Sequence, residues 1–335
     1  MATINDIAEK LHISNATVSR ALRSSGYVKA ELKEKIFRTA EELGYAPNPL
    51  AVGLRTRRSH GISIVLPSMN NPVSVELLEN LEKLADRNGY HVMISTTDGN
   101  IETERKYVQL LDAGLVDGTV LVPGPRRSPE EEYLQHIRKR NIALFNRDLA
   151  GLSLDVVKSD AVQAGRLAME HLACRGYRRI GMILPPLETS LAQERLEGCQ
   201  EGADAAGIRL EEKWMLRARG TTPAAGKAAA DELLSRQSRP DGLLVLDNIL
   251  TVGVLQALRE KNLSLPEDLG LVSFDDIVNG ELVGAGITYV GQPMPQIAEA
   301  LFSLLLLRME GQPGMARQSI CLPVRLIERG STRRL

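Results

Sequence analysis

The sequence predicts an all-α helix-turn-helix headpiece followed by an α/β body of two doubly wound parallel-sheet lobes. Three observations lead there. Residues 3–43 hold three short helical patterns, and the second carries small, hydrogen-bonding side chains where a core helix would carry bulk. From Gly61 onward, short apolar runs alternate with helical patterns, the rhythm of parallel βα units. At 335 residues the chain is also too long for one ordinary core, so two or three domains are expected.

The first helix begins after Thr3, whose hydroxyl can cap it, with Asp6 where an acid favours the positive helix end. Ile7, Ala8 and Leu11 form its inner stripe, and the small Ala8 permits a tight turn at His12 and Ile13. Ser14 caps a second helix starting at Asn15. Val18, Ala21 and Leu22 fall at helical spacing and face inward, leaving Asn15, Ala16, Thr17, Ser19, Arg20 and Arg23 outside. A helix with such an outer face suits the DNA major groove. The third helix, about 30–43, buries Leu32, Ile36, Ala40 and Leu43 and ends at Gly44, a permissive C-terminal residue.

In the body, runs 62–66, 91–95, 119–122 and 142–145 read as buried parallel strands, with helices at about 72–89, 101–113 and 129–140. A second set starts at 156–157 and includes strands 180–184, 214–216, 243–246 and 271–274. Its helices lie near 160–175, 190–206, 223–236 and 249–261. Ligands of such sheets bind outside the carboxyl ends of strands, so two facing lobes make a cleft. The cleft candidates are therefore Asn70, Asn71 and Val73 after the first strand, Arg147 and Asp148 after the fourth, and Arg195 on the helix after 184. Asp247 and Asn248 follow 246, and Asp275 follows 274.

Net charge is −1, but residues 1–60 carry ten Lys/Arg against six Asp/Glu, while the remainder carries 31 against 36. A basic head on an acidic body fits phosphate contact at one end. Cys174, Cys199 and Cys321 are odd in number, widely spaced and without a CxxC pair, so neither a disulfide framework nor a zinc site is expected. The start of the chain has no basic-then-apolar signal, and the longest apolar run, 301–307, is too short to span a bilayer. A cytoplasmic protein with no membrane partner is expected, nucleoid-associated when bound to DNA. GxSxG, HExxH, Walker and dinucleotide glycine motifs are missing, and the histidines at 12, 60, 91, 136 and 171 are scattered. No catalytic residue, cofactor or metal is expected. A solute-binding protein of a sugar transporter is the alternative that the body alone permits; the headpiece argues against it.

These motifs together resemble the lactose/galactose-repressor family of bacterial transcription regulators. The matching residues are Thr3-Ile4-x-Asp6-Ile7-Ala8, Ala16-Thr17-Val18-Ser19-Arg20-Ala21-Leu22 and Gly44-Tyr45-x-Pro47-Asn48. Further on come Asp117-Gly118, Asp160, Gly176-Tyr177-Arg178-Arg179-Ile180, Arg195-Leu196-x-Gly198, Pro266-Glu267-Asp268-Leu269, Ser273-Phe274-Asp275-Asp276 and Leu326 to Thr332, so the resemblance covers nearly the whole chain. It implies a headpiece over 1–46, a hinge helix and linker over 47–60, and a periplasmic-binding-protein-like effector and dimerisation domain over 61–335. Lobe 1 would take about 61–158 plus 288–315 and lobe 2 about 159–287 plus 316–330, with crossings near 158–161, 287–292 and 315–320.

The resemblance also implies roles. Asn15, Ala16 and Arg20 would read bases, Arg20 through two hydrogen bonds to a guanine edge. Ser14, Thr17, Ser19, Tyr45 and Asn48 would hold phosphates, with Thr3 in the same DNA-binding set. Leu54 would wedge between base pairs when two hinges fold together over the minor groove. Where family hinges often read Ala-Arg-Ser-Leu, this chain has Ala51-Val52-Gly53-Leu54, and Gly53 lowers helix propensity by up to about 1 kcal/mol. In the cleft, Arg195 and Asp275 match effector-binding positions and Arg147 a frequent cleft arginine; Asn70, Val73 and Asp247 complete the expected site. Sugar-binding members often carry aromatics where this chain has Val73-Ser74 and Thr221-Thr222, and many members read Asn-Asp where it has Asp247-Asn248. Less stacking and two arginines point to an anionic sugar derivative, a sugar acid or sugar phosphate. The chain ends after the last strand without a heptad tail, so a homodimer on a pseudo-palindromic operator is expected.

Overall fold

A computed structural model describes residues 2–22, 26–45, 58–124, 137, 141–147, 149, 154–284, 286–311 and 316–332. It divides into two compact units, 1–59 and 60–335. The expected contacts of Asn48 and Leu54, the hinge, Arg23, Asp148 and most of the expected helix 129–140 lie outside the described residues.

The first unit holds α1 (Ile4–Leu11), α2 (Asn15–Leu22) and α3 (Ala30–Glu42). Thr3 and Asp6 form a reciprocal capping box at the start of α1, which satisfies two backbone donors that a helix start leaves unpaired. His12 ends α1 in the left-handed region at φ 52°. Ile7, Ala8, Val18, Ala21, Ile36 and Ala40 make one small core, while Leu11, Leu22, Leu32 and Leu43 pack at its edge. Gly44 takes φ +60°, as its place after α3 predicts.

Among the described residues, the second unit contains two six-stranded sheets. The first is built from β1 (Gly61–Leu66), β2 (His91–Thr96), β3 (Gly118–Leu121), β4 (Ile142–Phe145), β5 (Asp155–Ser159) and β11 (Ser319–Leu322). Their spatial order is β11-β5-β4-β3-β1-β2, with every pairing parallel. The second is built from β6 (Ile180–Leu184), β7 (Met215–Arg217), β8 (Gly242–Val245), β9 (Gly270–Phe274), β10 (Thr288–Gly291) and β12 (Arg325–Ile327). Their order is β12-β10-β9-β8-β6-β7, and only β10 with β12 runs antiparallel.

Helices cover both faces. α4 (Pro72–Arg87) and the last helix, α10 (Met294–Met309), bury Leu77, Leu81, Ile297 and Leu301 against one face of the first sheet. α5 (Ile101–Val108) puts Val108 on the other face beside Ile137. α6 (Ala161–Cys174) and α7 (Ser190–Ala205) cover one face of the second sheet, and α8 (Pro223–Leu234) and α9 (Asn248–Glu260) the other. Fully buried Tyr177 lies over Gly242 and Gly270, and a Cβ on Gly270 would come within 2.3 Å of the Tyr177 ring.

The sheets partition the chain differently from the sequence expectation at three places. Strand 155–159 belongs to the first sheet and opens no second set. Residues 288–291, expected in lobe 1, form β10 of the second sheet. Residues 319–322, expected in lobe 2, form β11 of the first. The second and third crossings therefore follow 291 and 322. Strands this short carry no mark of which sheet they join, because three or four residues hold too little pattern to tell one sheet edge from the other.

α6 and α7 touch backbone to backbone. A Cβ on Gly198 would lie 1.9 Å from the Val162 carbonyl oxygen, and one on Gly165 would lie 2.3 Å from that of Arg195. Gly198→Ala must part the helices, and overpacking of this kind costs about 1–3 kcal/mol. The expected result is a lower urea midpoint with an unchanged slope; an unchanged midpoint would contradict the close crossing.

Candidate functional site

The headpiece presents one candidate surface. Asn15, Ala16 and Arg20 are exposed on α2, with Thr3, Asn5 and Ser14 exposed beside them. Ser14 caps the helix: its Oγ accepts from the Thr17 amide at 3.2 Å and lies 2.9 Å from the Thr17 hydroxyl. The Asn15 side-chain amide donates to Asn5 Oδ1 at 2.6 Å, and Arg20 Nε donates to the Ala16 carbonyl at 3.3 Å. Tyr45 is half-buried against the small core, so packing fixes its ring. Ser19 is half-buried.

The body offers a second site where strand ends of both sheets meet the crossings. A cavity of about 260 Å³ is lined by Val73 and Glu76 of α4, Asp275 and Asp276 after β9, Tyr289 of β10, and Gln292. Asp275 sits in the left-handed region at φ 62°. Its carboxylate is held on both oxygens: Arg195 Nη2 donates to Oδ2 at 2.7 Å, and Gln292 Nε2 donates to Oδ1 at 2.7 Å. Arg195 is itself buried. Its guanidinium lies 4.8 Å from the Phe274 ring centre and donates to the Leu246 carbonyl at 3.0 Å, while its Nε has no hydrogen-bond partner.

Gln292 carries the connection into the first sheet. Asn146 Nδ2 donates to Gln292 Oε1 at 2.6 Å. Asn146 Oδ1 accepts from the Ser159 amide at 2.9 Å, just before the first crossing. Two further bonds join the lobes: Asn248 Nδ2 to Asn71 Oδ1 at 3.2 Å, and Lys158 Nζ to Glu194 Oε1 at 2.8 Å.

Of the residues expected in the cleft, Val73 and Asp275 line the cavity, and Arg195 reaches it through Asp275. Arg147 is half-buried and donates to the Pro123 carbonyl at 2.6 Å. Burial lowers its pKa, while the charges of Asp247 and Glu104 act the other way. Asp247 caps α9, its Oδ1 accepting from the Ile249 and Leu250 amides at 2.8 and 3.2 Å. Burial pushes its pKa up, against the pull of Arg195 and those two amides. Asn70 is exposed, and its amide bonds Ser68; its neighbour Asn71 makes the contact between lobes. The inverted Asp247-Asn248 pair thus places the acid at the helix cap and the amide across the lobes. Sequence reasoning missed Glu76, Asn146, Tyr289 and Gln292. Glu76 is exposed, as an ordinary solvated helix position would be, and partial desolvation, helped by Asp275, Glu79 and Asp276, raises its pKa. Among the described residues, no group of three His, Cys, Asp or Glu could hold a metal, and no helix is long and apolar enough to cross a membrane.

Comparison with known proteins bears on both sites. Residues 3–48 match the family described as "Bacterial regulatory proteins, lacI family", and residues 169–332 match "Periplasmic binding protein-like domain". The chain is 29% identical over 332 residues to the HTH-type transcriptional regulator DegA of Bacillus subtilis (strain 168), covering 98% of each chain. It is 28% identical over 310 residues to the ribose operon repressor of Haemophilus influenzae, covering 92% of each. The crystal structure of the lac repressor dimer bound to operator and the anti-inducer ONPF superposes with a TM-score of 0.86 at 22% identity, covering 99% of each chain. At that identity the likeness speaks for the fold.

Because burial raises the pKa of Asp247, the folded body holds that proton more tightly than the unfolded chain does. Its contribution to stability is complete below the ordinary carboxylate value and is lost as pH rises through the raised value. Asp247→Asn keeps an oxygen for the cap and removes the charge. Denaturation midpoints should therefore shift in favour of Asp247→Asn as pH climbs from about 4 towards neutrality. Parallel pH profiles for the two proteins would contradict this.

Proposed function

The chain belongs to the lacI family of bacterial regulatory proteins, and from that membership we propose that it is a transcription repressor whose grip on operator DNA is set by a small carbohydrate in the body. The observation that carries the reading is the conjunction, in one chain, of an exposed α2 face and a cavity lined from both lobes. Asn15, Ala16 and Arg20 are the proposed base readers. Thr3, Ser14, Thr17, Ser19, Tyr45 and Asn48 hold the backbone, and Leu54 is the minor-groove wedge.

The effector contacts proposed are Val73, Asp275 and Arg195, with Asn70, Arg147 and Asp247 around them. Asp275 already balances Arg195; besides Arg325 in the cavity wall, the cation proposed to meet an acid is Arg147. Burial depresses its pKa, and an anion beside it would favour the charged guanidinium. A sugar acid or sugar phosphate fits that chemistry, and the small cavity suits a ligand of monosaccharide size. The ribose operon repressor supports a sugar-type effector by its name.

The working unit is a homodimer on a two-fold operator. The edge strand β2 exposes Met93 and Ile94, and lobe 2 exposes Val278 and Leu282. Apolar side chains at a sheet edge need cover, and the lac repressor dimer on its operator is a precedent. The relatives are named as regulators and repressors, so we read the body as a sensor of its ligand.

The test has two parts. The protein should retain specific fragments of its own genome on a column at moderate salt. A thermal-shift panel of neutral sugars, sugar acids and sugar phosphates should give its largest shift with an acid or phosphate, about 2.7 kcal/mol at a hundredfold excess over Kd. That ligand should release the retained DNA or tighten its hold. Tight binding of a neutral sugar alone would remove the anionic class. A protein that retains no DNA would overturn the reading.

A further inference from the structure

We propose that Asn5 on α1 orients the amide of Asn15 so that the headpiece reads an adenine in each half of its operator. The inference rests on the reading of α2 as a major-groove helix, and it assigns a positioning residue and a base that the family match does not.

Asn15 is the first residue of α2, and its side chain is exposed. Its Nδ2 donates to Asn5 Oδ1 at 2.6 Å, a short bond between two helices whose relative position is fixed by Ile7, Ala8, Val18 and Ala21 beneath them. A primary amide has two N–H donors and a carbonyl acceptor. With one N–H committed to Asn5, Asn15 offers one N–H and its Oδ1 to whatever lies opposite.

That remainder selects among the four bases. In the major groove, adenine presents an acceptor at N7 beside a donor at N6, which one N–H and one C=O satisfy together. Guanine presents two acceptors, N7 and O6, and needs two donors. Cytosine and thymine each offer a single polar contact. The two hydrogens of an amide nitrogen diverge, one beside the carbonyl oxygen and one away from it. We place the outer hydrogen on Asn5, which leaves the one beside the oxygen for the adenine pair. With both amides turned over, Asn5 would donate to the Asn15 oxygen, both Asn15 N–H groups would be free, and guanine would be favoured instead. The side of its amide that Asn5 presents therefore decides the base, and here it presents the oxygen. Pre-setting the amide also spares part of the side-chain ordering cost on binding.

The test is selection from a random-sequence duplex library by the full-length protein and by Asn5→Ala, Asn5→Asp and Asn15→Ala, each checked for an unchanged circular dichroism spectrum. The native protein should enrich a two-fold motif containing one adenine per half-site whose preference vanishes with Asn15→Ala. Asn5→Ala should lower the adenine-to-guanine ratio at that same position by roughly fivefold or more, the lower end of what one bidentate pair supplies. Asn5→Asp keeps the acceptor. Its added charge should weaken binding to all sequences alike while leaving the adenine preference in place. A guanine at the position governed by Asn15, or an adenine preference indifferent to Asn5→Ala, overturns the proposal while the regulator reading stands. No enriched motif with the native protein overturns both.

Discussion

The Asp275 carboxylate is the constraint on which the rest of the body depends. It sits at the end of β9 in a backbone conformation that non-glycine residues seldom adopt, and it is almost wholly out of solvent beside Arg195. A buried ion pair is tolerable when further hydrogen bonds satisfy its remaining atoms, and removing one partner from such a pair costs about 3–5 kcal/mol. Here Gln292 takes the second carboxylate oxygen. Because Gln292 stands at the second crossing and also accepts from Asn146, the requirement to satisfy one buried acid in the second lobe fixes a strand end in the first. Asn146 in turn holds the Ser159 amide, so the chain of bonds reaches two of the three crossings.

This arrangement explains how a local ligand contact could be felt at a distance. Coupling between sites needs an element with more than one arrangement, each favoured by a different partner. Among the described residues, polar side-chain bonds join the lobes: Asn146 with Gln292, Asn71 with Asn248, and Lys158 with Glu194. Each lobe, by contrast, is held by its own apolar clusters. Lobes with apolar cores of their own and a polar seam can move as units at modest cost. On the proposed reading, a ligand bound at Asp275 would act on the seam directly.

Much of this was legible in the sequence. Regular elements follow from periodicity and caps: α6 runs Ala161–Cys174 where the pattern gives about 160–175, and Thr3, Ser14 and Gly44 each stand where a helix needs them. The three crossings were not fully legible. β11 and β12 are separated by two residues yet belong to different sheets, and nothing in three or four residues records the neighbour they will find. The same holds for the site. Arg195 and Asp275 stand out through their family motifs, whereas Gln292 and Asn146 are 146 positions apart and carry no local pattern. Asn5 is likewise an unremarkable exposed helix residue until its contact with Asn15 is seen. Residues that work by bridging distant segments leave no periodic trace; residues that make helices and cores do.

The most direct test of the central claim uses the protein's own cysteines. Cys174 on α6 and Cys321 on β11 are exposed and lie on opposite lobes, while Cys199 is buried. Nitroxides on the two exposed cysteines, in labelled protein diluted into an excess of unlabelled protein, report the distance between lobes within one chain. If Gln292 ties the lobes together through Asp275 and Asn146, Gln292→Leu should broaden or shift a distance distribution that is narrow in the native protein. Superimposable distributions from folded native and Gln292→Leu proteins would contradict the account.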